Sequence, residues 1–204
     1  MSKSKVANAA IRPEWRGIVQ QRKTLIGWPD WPAVPFVRSG AKVKTPRDDV
    51  HTGSTEETEV LFQLADEDGV GLEGTKLRIS AWAFRRHCDV TATLEAVGGR
   101  SFVAISRVDA WPTTAHQNSY KALRKSGLKG YAGEIAGCHV HRFDDNVKYG
   151  PEAFGPGPEG NLPVAVAFPY DLQSFRGFLR SVETEFNIDG LEDFPSPPGW
   201  QGLV

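Results

Sequence analysis

The sequence has only two cysteines, Cys88 and Cys138, among its 204 residues. Two cysteines are too few for a disulfide framework, and a chain of this length can build a hydrophobic core without one. A reducing compartment is the default environment for such a chain. The sequence also lacks any run of eighteen apolar residues, and no apolar stretch follows its basic start. These absences predict a soluble, cytoplasmic protein without a membrane partner.

Several motifs that identify large classes of protein are also missing. The chain has no G-x-x-x-x-G-K-[ST] or G-x-G-x-x-G loop, no H-E-x-x-H, no paired C-x-x-C and no G-x-S-x-G. Each of these patterns places backbone amides, metal ligands or a nucleophile where the corresponding chemistry needs them. Their absence argues against nucleotide-triphosphate motors, Rossmann dehydrogenases, zincins, zinc fingers and α/β-hydrolases.

Charge is nearly balanced over the whole chain, at −1, but it is segregated along the sequence. Residues 1–50 carry a net charge of +6, residues 51–75 carry −7, residues 76–150 carry +6 and residues 151–204 carry −6. Alternating blocks can pair with one another inside the fold. Alternatively, the two basic blocks can share a face that binds a polyanion.

The first 50 residues are predicted to form an N-terminal helix and an arm rich in tryptophan and proline. Pro13 suits a helix start, and Trp15, Ile18 and Leu25 follow at helical spacing. The next segment, "IGWPDWPAVPF", alternates prolines with aromatic residues, which excludes a regular helix or a central strand. We expect an extended arm that is anchored by its aromatic side chains.

Residues 51–190 are predicted to form one α+β core domain. From residue 58, four runs of apolar residues alternate with period two, and "GCHVHRF" and "LPVAVAF" predict two shorter strands. Behind an Asp171 N-cap, apolar residues at helical spacing predict a helix over 171–187. We expect an antiparallel sheet of about five or six strands with this helix on one face. Residues 191–204 are predicted to be an extended tail.

The segment "WPTTAHQNSYKALRKSG" is predicted to be a helix over 114–126. A threonine N-cap and a glycine stop bound it. On such a helix His116 and Tyr120 lie at i and i+4, beside a polar stripe formed by Gln117, Lys121 and Arg124.

A catalytic site is predicted where this helix approaches the strand that contains two histidines. Side chains two apart on a strand share a face, so His139 and His141 lie together. Two histidines can act as general acid and base, while lysine and arginine neutralise a phosphorane without a metal ion. The predicted catalytic residues are therefore His139, His141 and Tyr120, and the predicted nucleic-acid ligands are Lys121, Arg124, Arg142 and His116.

Other interpretations of these residues remain open. The two histidines can be structural, and burial of both rings would remove most of the support for catalysis. They can also be two ligands of a metal ion, but such a site needs three or four ligands. The candidates for the others, none of them at a diagnostic spacing, are Cys138, Asp144, Asp145, His116 and His87. Asp144, Asp145 and Asn146 favour a turn over a nuclease-like carboxylate pair. No metal ion or other cofactor is therefore predicted.

The second half of the chain resembles an uncharacterised bacterial domain family. The resemblance covers residues 101–188 and rests on "FVAISR", "HQNSY", "GCHVHRF" and "LPVAVAFPYDLQSFRGFLRSVETEFNI". The family shares an F-x-L-x-I-x-R strand, an H-x-H strand, and an apolar strand that leads into a terminal helix. The resemblance implies no established activity. Because such domains occur in mobile or defence-related bacterial contexts, it favours a nucleic-acid function.

Two functions follow as hypotheses. The first is a nucleic-acid-acting protein of a bacterial or phage defence or mobile-element context, in the form of a small metal-independent ribonuclease or toxin-like domain. The second is a non-catalytic protein-binding module, an inhibitor or accessory subunit, whose charged blocks and Trp/Pro arm dock a partner protein. Under the first, His139→Ala abolishes turnover. Under the second, charge reversal within residues 76–150 weakens a complex.

Overall fold

An eight-stranded sheet organises the protein. The computed structural model describes residues 11–33, 57–120, 123–124, 127, 133–155 and 161–200, and within them it has ten strands and three α-helices. The helices are α1 (Pro13–Gln20), α2 (Phe143–Tyr149) and α3 (Phe175–Phe186). The strands are β1 (Lys23–Leu25), β2 (Glu57–Ala65), β3 (Gly71–Trp82), β4 (Val90–Val97), β5 (Phe102–Ala110), β6 (His116–Gln117), β7 (Glu134–Ile135), β8 (His139–His141), β9 (Val166–Ala167) and β10 (Ile188–Asp189).

The sheet has the order β10-β1-β2-β3-β4-β5-β8-β9, and β6 and β7 form a separate pair. All neighbours in the large sheet are antiparallel except β1 and β10, which are parallel. The predicted α+β class is confirmed, with eight strands instead of the expected five or six. The additional strands β1 and β10 have three and two residues, which is too short for a period-two pattern to be visible in the sequence.

Strands β2 and β3 follow the predicted alternation of buried and more exposed side chains, whereas β4 departs from it, because Thr93 and Glu95 between its apolar residues are buried too. In β2, Val60, Phe62 and Leu64 are buried, and Leu61 between them is exposed. Helix α3 contributes the fully buried Phe178 to the same core. We call the side of the sheet that carries these core residues the covered face, and the opposite side the open face.

The C-terminal helix is confirmed, but it starts three residues later than Asp171 would place it. Its N-cap is Ser174, whose Oγ accepts a hydrogen bond of 3.0 Å from the Gly177 backbone N–H. At the other end, Asn187 takes a left-handed conformation with φ of 53° and ends the helix before Gly190.

The helix predicted over 114–126 is wrong in its first half. Residues up to Asn118 are extended, His116 lies in β6, and helical geometry begins at Tyr120. The backbone N–H and the hydroxyl of Thr113 both donate to the Asp89 carboxylate, each at 2.7 Å. These tertiary hydrogen bonds hold the segment extended and override its helical propensity.

The turn predicted at Asp144, Asp145 and Asn146 is also wrong, because these residues form part of α2. Two carboxylates in the first turn of a helix interact favourably with its dipole. The buried Phe143 and Tyr149 pack this seven-residue helix against the core.

The described part of the Trp/Pro arm is anchored by aromatic contacts, as expected. The Trp31 indole N–H donates to the Pro195 carbonyl oxygen at 2.8 Å, and its ring lies 5.6 Å from that of Phe194. Residues 34–50 of the predicted arm lie outside the described residues. Among the helices that the structure describes, none is long and apolar enough to cross a membrane.

Candidate metal centre

Strands β5 and β8 place four polar side chains next to one another on the open face. In the register of the sheet Arg107 is opposite His141, and Asp109 is opposite His139. Residues two apart on a strand share a face, so the two cross-strand pairs lie side by side on the same face of the sheet. The result is a compact square of two histidines, one arginine and one aspartate.

A third histidine, His116, lies beside these four side chains. It belongs to residues 112–118, which we call the covering segment. His116 lies in β6, and its ring centroid is 5.2 Å from that of His139 and 4.7 Å from that of His141. The covering segment is fastened two residues later by Asn118. The Asn118 side chain donates to the Ala165 carbonyl oxygen at 2.9 Å and accepts from the Ala165 N–H at 2.8 Å.

The three histidines form a cluster with the dimensions of a metal-ligand set. One ring nitrogen from each lies within 4.8 Å of the other two. His139 is 3% exposed and His141 is not exposed at all. Three nitrogens bound to one zinc ion at about 2.0–2.1 Å lie about 3.3 Å apart. Binding one ion would therefore require the three rings to move closer together than they lie here.

Each histidine directs one ring nitrogen at a backbone carbonyl oxygen. The Nδ1 of His139 lies 2.8 Å from the oxygen of Gly137, and the Nδ1 of His141 lies 2.5 Å from that of Leu162. The Nε2 of His116 lies 3.3 Å from the oxygen of Pro163 and equally 3.3 Å from Asn118 Oδ1. A neutral imidazole has one N–H, which these carbonyls require at the nitrogen that faces them. The other nitrogen of each ring is then left with a lone pair.

These lone pairs create an electrostatic problem at Asp109. The Nε2 atoms of His139 and His141 lie 3.2 and 3.0 Å from its Oδ2, so that acceptor faces acceptor. Protonating both rings would relieve the repulsion, but burial is the dominant influence on His141 and lowers its pKa to about 4, so this ring is neutral at pH 7. A cation between the three atoms also relieves it, and leaves every ring neutral.

Asp109 is an anion in this environment. Burial by itself would raise its pKa. The contacts with His139 and His141 lower it where a proton or a metal ion lies between those nitrogens and the carboxylate, and the charge of Arg107 lowers it further, so that the pKa is held well below its usual range. Thr91 donates a further hydrogen bond of 2.9 Å to Oδ1. The carboxylate is therefore fixed in orientation, with Oδ2 aimed at the two histidines.

Arg107 supplies one cation to the cluster. Its Nε donates to Asp109 Oδ2 at 2.8 Å, and its Nη2 lies 2.7 Å from His141 Nε2. The guanidinium group thus satisfies one lone pair of His141 and part of the carboxylate charge. Arg107 is placed against Asp109 and His141, and the Nε2 of His139 still faces the Asp109 carboxylate.

The cluster forms part of the wall of a pocket of about 330 Å³. His116, His139, Arg107 and Asp109 are among its lining residues. The remaining lining residues are Asp89, Val90, Thr91, Ala110, Pro112, Thr114, Ala115 and Gln117. This volume is at the lower end of the range for small-molecule sites.

The structure brings together three of the residues selected from the sequence: His116, His139 and His141. Tyr120 is 79% exposed, and Arg124 is also exposed. Arg142 makes a bidentate ion pair of 2.7 and 2.8 Å with Glu185 of α3, on the covered face. Lys121 lies outside the described residues.

Arg107 and Asp109 were not among the site residues predicted from the sequence. A signal for them was present, because they are the two charged residues of a mostly apolar strand and, two residues apart, share a face, as His139 and His141 do. Of the five candidates for further metal ligands, the cluster contains His116 alone.

Comparison with known proteins found no match among family models, curated proteins or solved structures. The resemblance of residues 101–188 to a bacterial domain family therefore stays a prediction.

Proposed function

We propose that this protein binds a divalent transition-metal ion through His116, His139, His141 and Asp109, and that it is a metal-dependent hydrolase. The observation that carries the proposal is the orientation of the three rings. His139 and His141 each use Nδ1 for a backbone carbonyl and direct Nε2 at Asp109, and a ring nitrogen of His116 lies within 4.8 Å of a ring nitrogen of each of them. Metal-bound histidines use the same arrangement, in which the second nitrogen donates to a carbonyl or carboxylate and fixes the ring.

The position of Asp109 fits the same role. Its Oδ2 lies 3.2 and 3.0 Å from the Nε2 atoms of His139 and His141, close to the separation of about 3.3 Å between ligands of a tetrahedral ion. Three neutral imidazoles and one carboxylate suit zinc, iron, manganese or cobalt in the divalent state. Zinc is our first choice, because it accepts this ligand set without a strict geometry.

Hydrolysis follows from the position of the cluster on a pocket wall. Structural zinc sites are closed, whereas catalytic sites keep a position for water or substrate. Because the four proposed ligands fill a tetrahedral site, the ion would need a fifth position, open to the 330 Å³ pocket, to hold water. In that position the ion, held by His116, His139, His141 and Asp109, would supply a water of lowered pKa as the nucleophile.

The test is a calorimetric titration of metal-stripped protein with Zn²⁺ and, separately, with Mn²⁺ and Co²⁺. We expect one equivalent to bind to the wild type, and the affinity to fall at least about a hundredfold in the His139→Ala, His141→Ala double variant. His87→Ala is the matched control, because His87 lies outside the cluster. Equal binding by the wild type and the double variant, or no binding by either, contradicts the proposal.

We propose nucleic acid as a second function to test at the same centre. The observation that favours it is the exposure of Tyr120 and Arg124, which follow the segment that carries His116. An exposed aromatic ring and an arginine suit base stacking and phosphate contact. The burial of His139 and His141 favours a role as metal ligands over direct proton transfer to a polymer.

Labelled RNA and DNA, single- and double-stranded, would be incubated with wild type, the double histidine variant and Tyr120→Ala, with and without a chelator. Cleavage that the chelator abolishes supports the metal-dependent route. Cleavage that survives the chelator but not the double variant supports the metal-independent acid and base predicted from the sequence. If no variant binds or cuts, the protein-binding module becomes the function to pursue.

A further inference from the structure

The geometry points to a second ligand in the same pocket: a small oxyanion, phosphate or carboxylate, that Arg107 binds once the metal ion is in place. This inference rests on the proposed metal centre. It assigns to Arg107 a function that changes with the state of the site, from internal cation to anion ligand.

The first step concerns His141, whose Nε2 cannot serve two groups. In the structure this lone pair accepts from Arg107 Nη2 at 2.7 Å. A metal ion bound to the same lone pair takes that acceptor away, because one nitrogen lone pair forms one such bond. Metal binding therefore releases the Nη2 end of the guanidinium group.

The second step concerns where the released group can turn. Arg107 lines the pocket and its side chain is 15% exposed, so an accessible route exists. Its Nε still has Asp109 Oδ2 as a partner at 2.8 Å. The guanidinium group is thereby held through Nε, while Nη2 is available for a new acceptor. An arginine fork matches the oxygens of a carboxylate or phosphate in pairs.

The third step is the charge of the pocket. Three charged side chains line it: Asp89, Arg107 and Asp109. Asp89 already accepts two hydrogen bonds from Thr113. With a divalent ion bound, the positive charges of the ion and Arg107 exceed the negative charges of Asp89 and Asp109, so the pocket has a net positive charge. An anion between the ion and the guanidinium group would interact with both, and its binding and that of the metal ion would favour each other.

The experiment measures two affinities on wild type, Arg107→Met and Arg107→Gln. The first is the affinity for Zn²⁺ in a buffer without coordinating anions. The second is the affinity of the zinc-loaded and the metal-free protein for inorganic phosphate and, in a separate arm, for acetate. Arg78→Met is the matched control, because Arg78 lies on the open face two strands away and pairs with Glu59 and Glu95. Circular dichroism checks that each variant is folded.

We expect zinc to bind about tenfold more tightly to both Arg107 variants than to wild type or Arg78→Met, because the competing cation is gone. We expect phosphate or acetate to bind zinc-loaded wild type at least about tenfold more tightly than the zinc-loaded Arg107 variants or the metal-free wild type. If zinc binds but neither anion distinguishes wild type from the Arg107 variants, the oxyanion site is refuted and the metal centre stands. If zinc does not bind wild type or either Arg107 variant, both proposals fail.

Discussion

The two faces of the sheet are built on different principles. On the covered face, Phe62 and Phe178 are fully buried among apolar neighbours whose positions follow from a period-two or helical repeat. On the open face, His139 and His141 are as deeply buried, but in a cluster of charged and polar groups. Burial stabilises the first set directly, because apolar area leaves water. For the second set burial is a cost unless every polar atom has a suitable partner.

The difference indicates what each face is for. An apolar core needs only volume and pattern to be satisfied, and many sequences fulfil that requirement. Buried histidines that face a buried carboxylate need a particular cation at a particular place. If the proposed metal centre is correct, the stability lost by burying this cluster is offset by its function as a binding site.

The largest difference between the faces should appear in the free energy of unfolding when Phe62 and its neighbour Leu61 on β2 are each replaced by alanine. Phe62→Ala removes a fully buried ring in contact with Phe194, and we expect it to lower the free energy of unfolding by about 3–5 kcal/mol. Leu61→Ala, one residue earlier on the open face, should change it by less than about 0.5 kcal/mol. Urea denaturation of both variants measures the two values. Similar losses would show that the open face is covered by apolar contacts in solution.

The covered face is also the part of the fold that could be predicted from the sequence. Strands β2 to β5, helix α1 and most of α3 follow from alternation, helical spacing and end signals. Strands β1, β9 and β10 could not be predicted at their observed length, because two or three residues hold no repeat. Helix α2 was missed for the same reason, since its seven residues depend on packing.

A medium effect is expected from the two asparagines that fasten the chain between Leu162 and Val166. Asn118 bonds both backbone groups of Ala165, and Asn146 bonds both of Val164 at 2.9 and 3.0 Å. Replacing either by alanine leaves a buried N–H and C=O without partners, at a cost of about 1–3 kcal/mol. The thermal stabilities of Asn118→Ala and Asn146→Ala should therefore fall by similar amounts.

Metal binding should separate this pair of variants. Asn118 lies two residues from His116 in the covering segment, whereas Asn146 lies in α2. We expect Asn118→Ala to weaken zinc binding about tenfold, and Asn146→Ala to weaken it much less. Calorimetry below the unfolding temperature gives both numbers. Equal losses would mean that the site depends on general stability and not on how His116 is held.

The candidate site could be predicted only in fragments. His139 and His141 were visible as a pair because both lie on one short strand. Their partnership with Asp109 depends on the pairing of β5 with β8, which the sequence does not contain. His116 was assigned to a helix, because its segment lies between a threonine that can cap a helix and a glycine that can end one. The hydrogen bonds from Thr113 to Asp89, 24 residues away, decide otherwise.

The smallest effect on stability should come from Thr91, which is neither a proposed metal ligand nor a core residue. Thr91 donates from Oγ1 to Asp109 Oδ1 at 2.9 Å, and Thr91→Val removes that bond while keeping the shape of the side chain. Asp109 would keep Arg107 as a partner but lose the contact that fixes the plane of its carboxylate. We expect zinc affinity to fall about tenfold, equivalent to about 1.4 kcal/mol, with a change in unfolding free energy below about 1 kcal/mol.

Thr93→Val is the control, because Thr93 lies two residues along the same strand and on the same face. Calorimetric titration of both variants with Zn²⁺ should show a loss for Thr91→Val alone. If Thr91→Val binds zinc as the wild type does, Asp109 is not a ligand whose orientation matters. The ion would then be held by the three histidines alone. The proposed site would contain one charged ligand fewer, and Arg107 would remain the cationic partner of the buried Asp109.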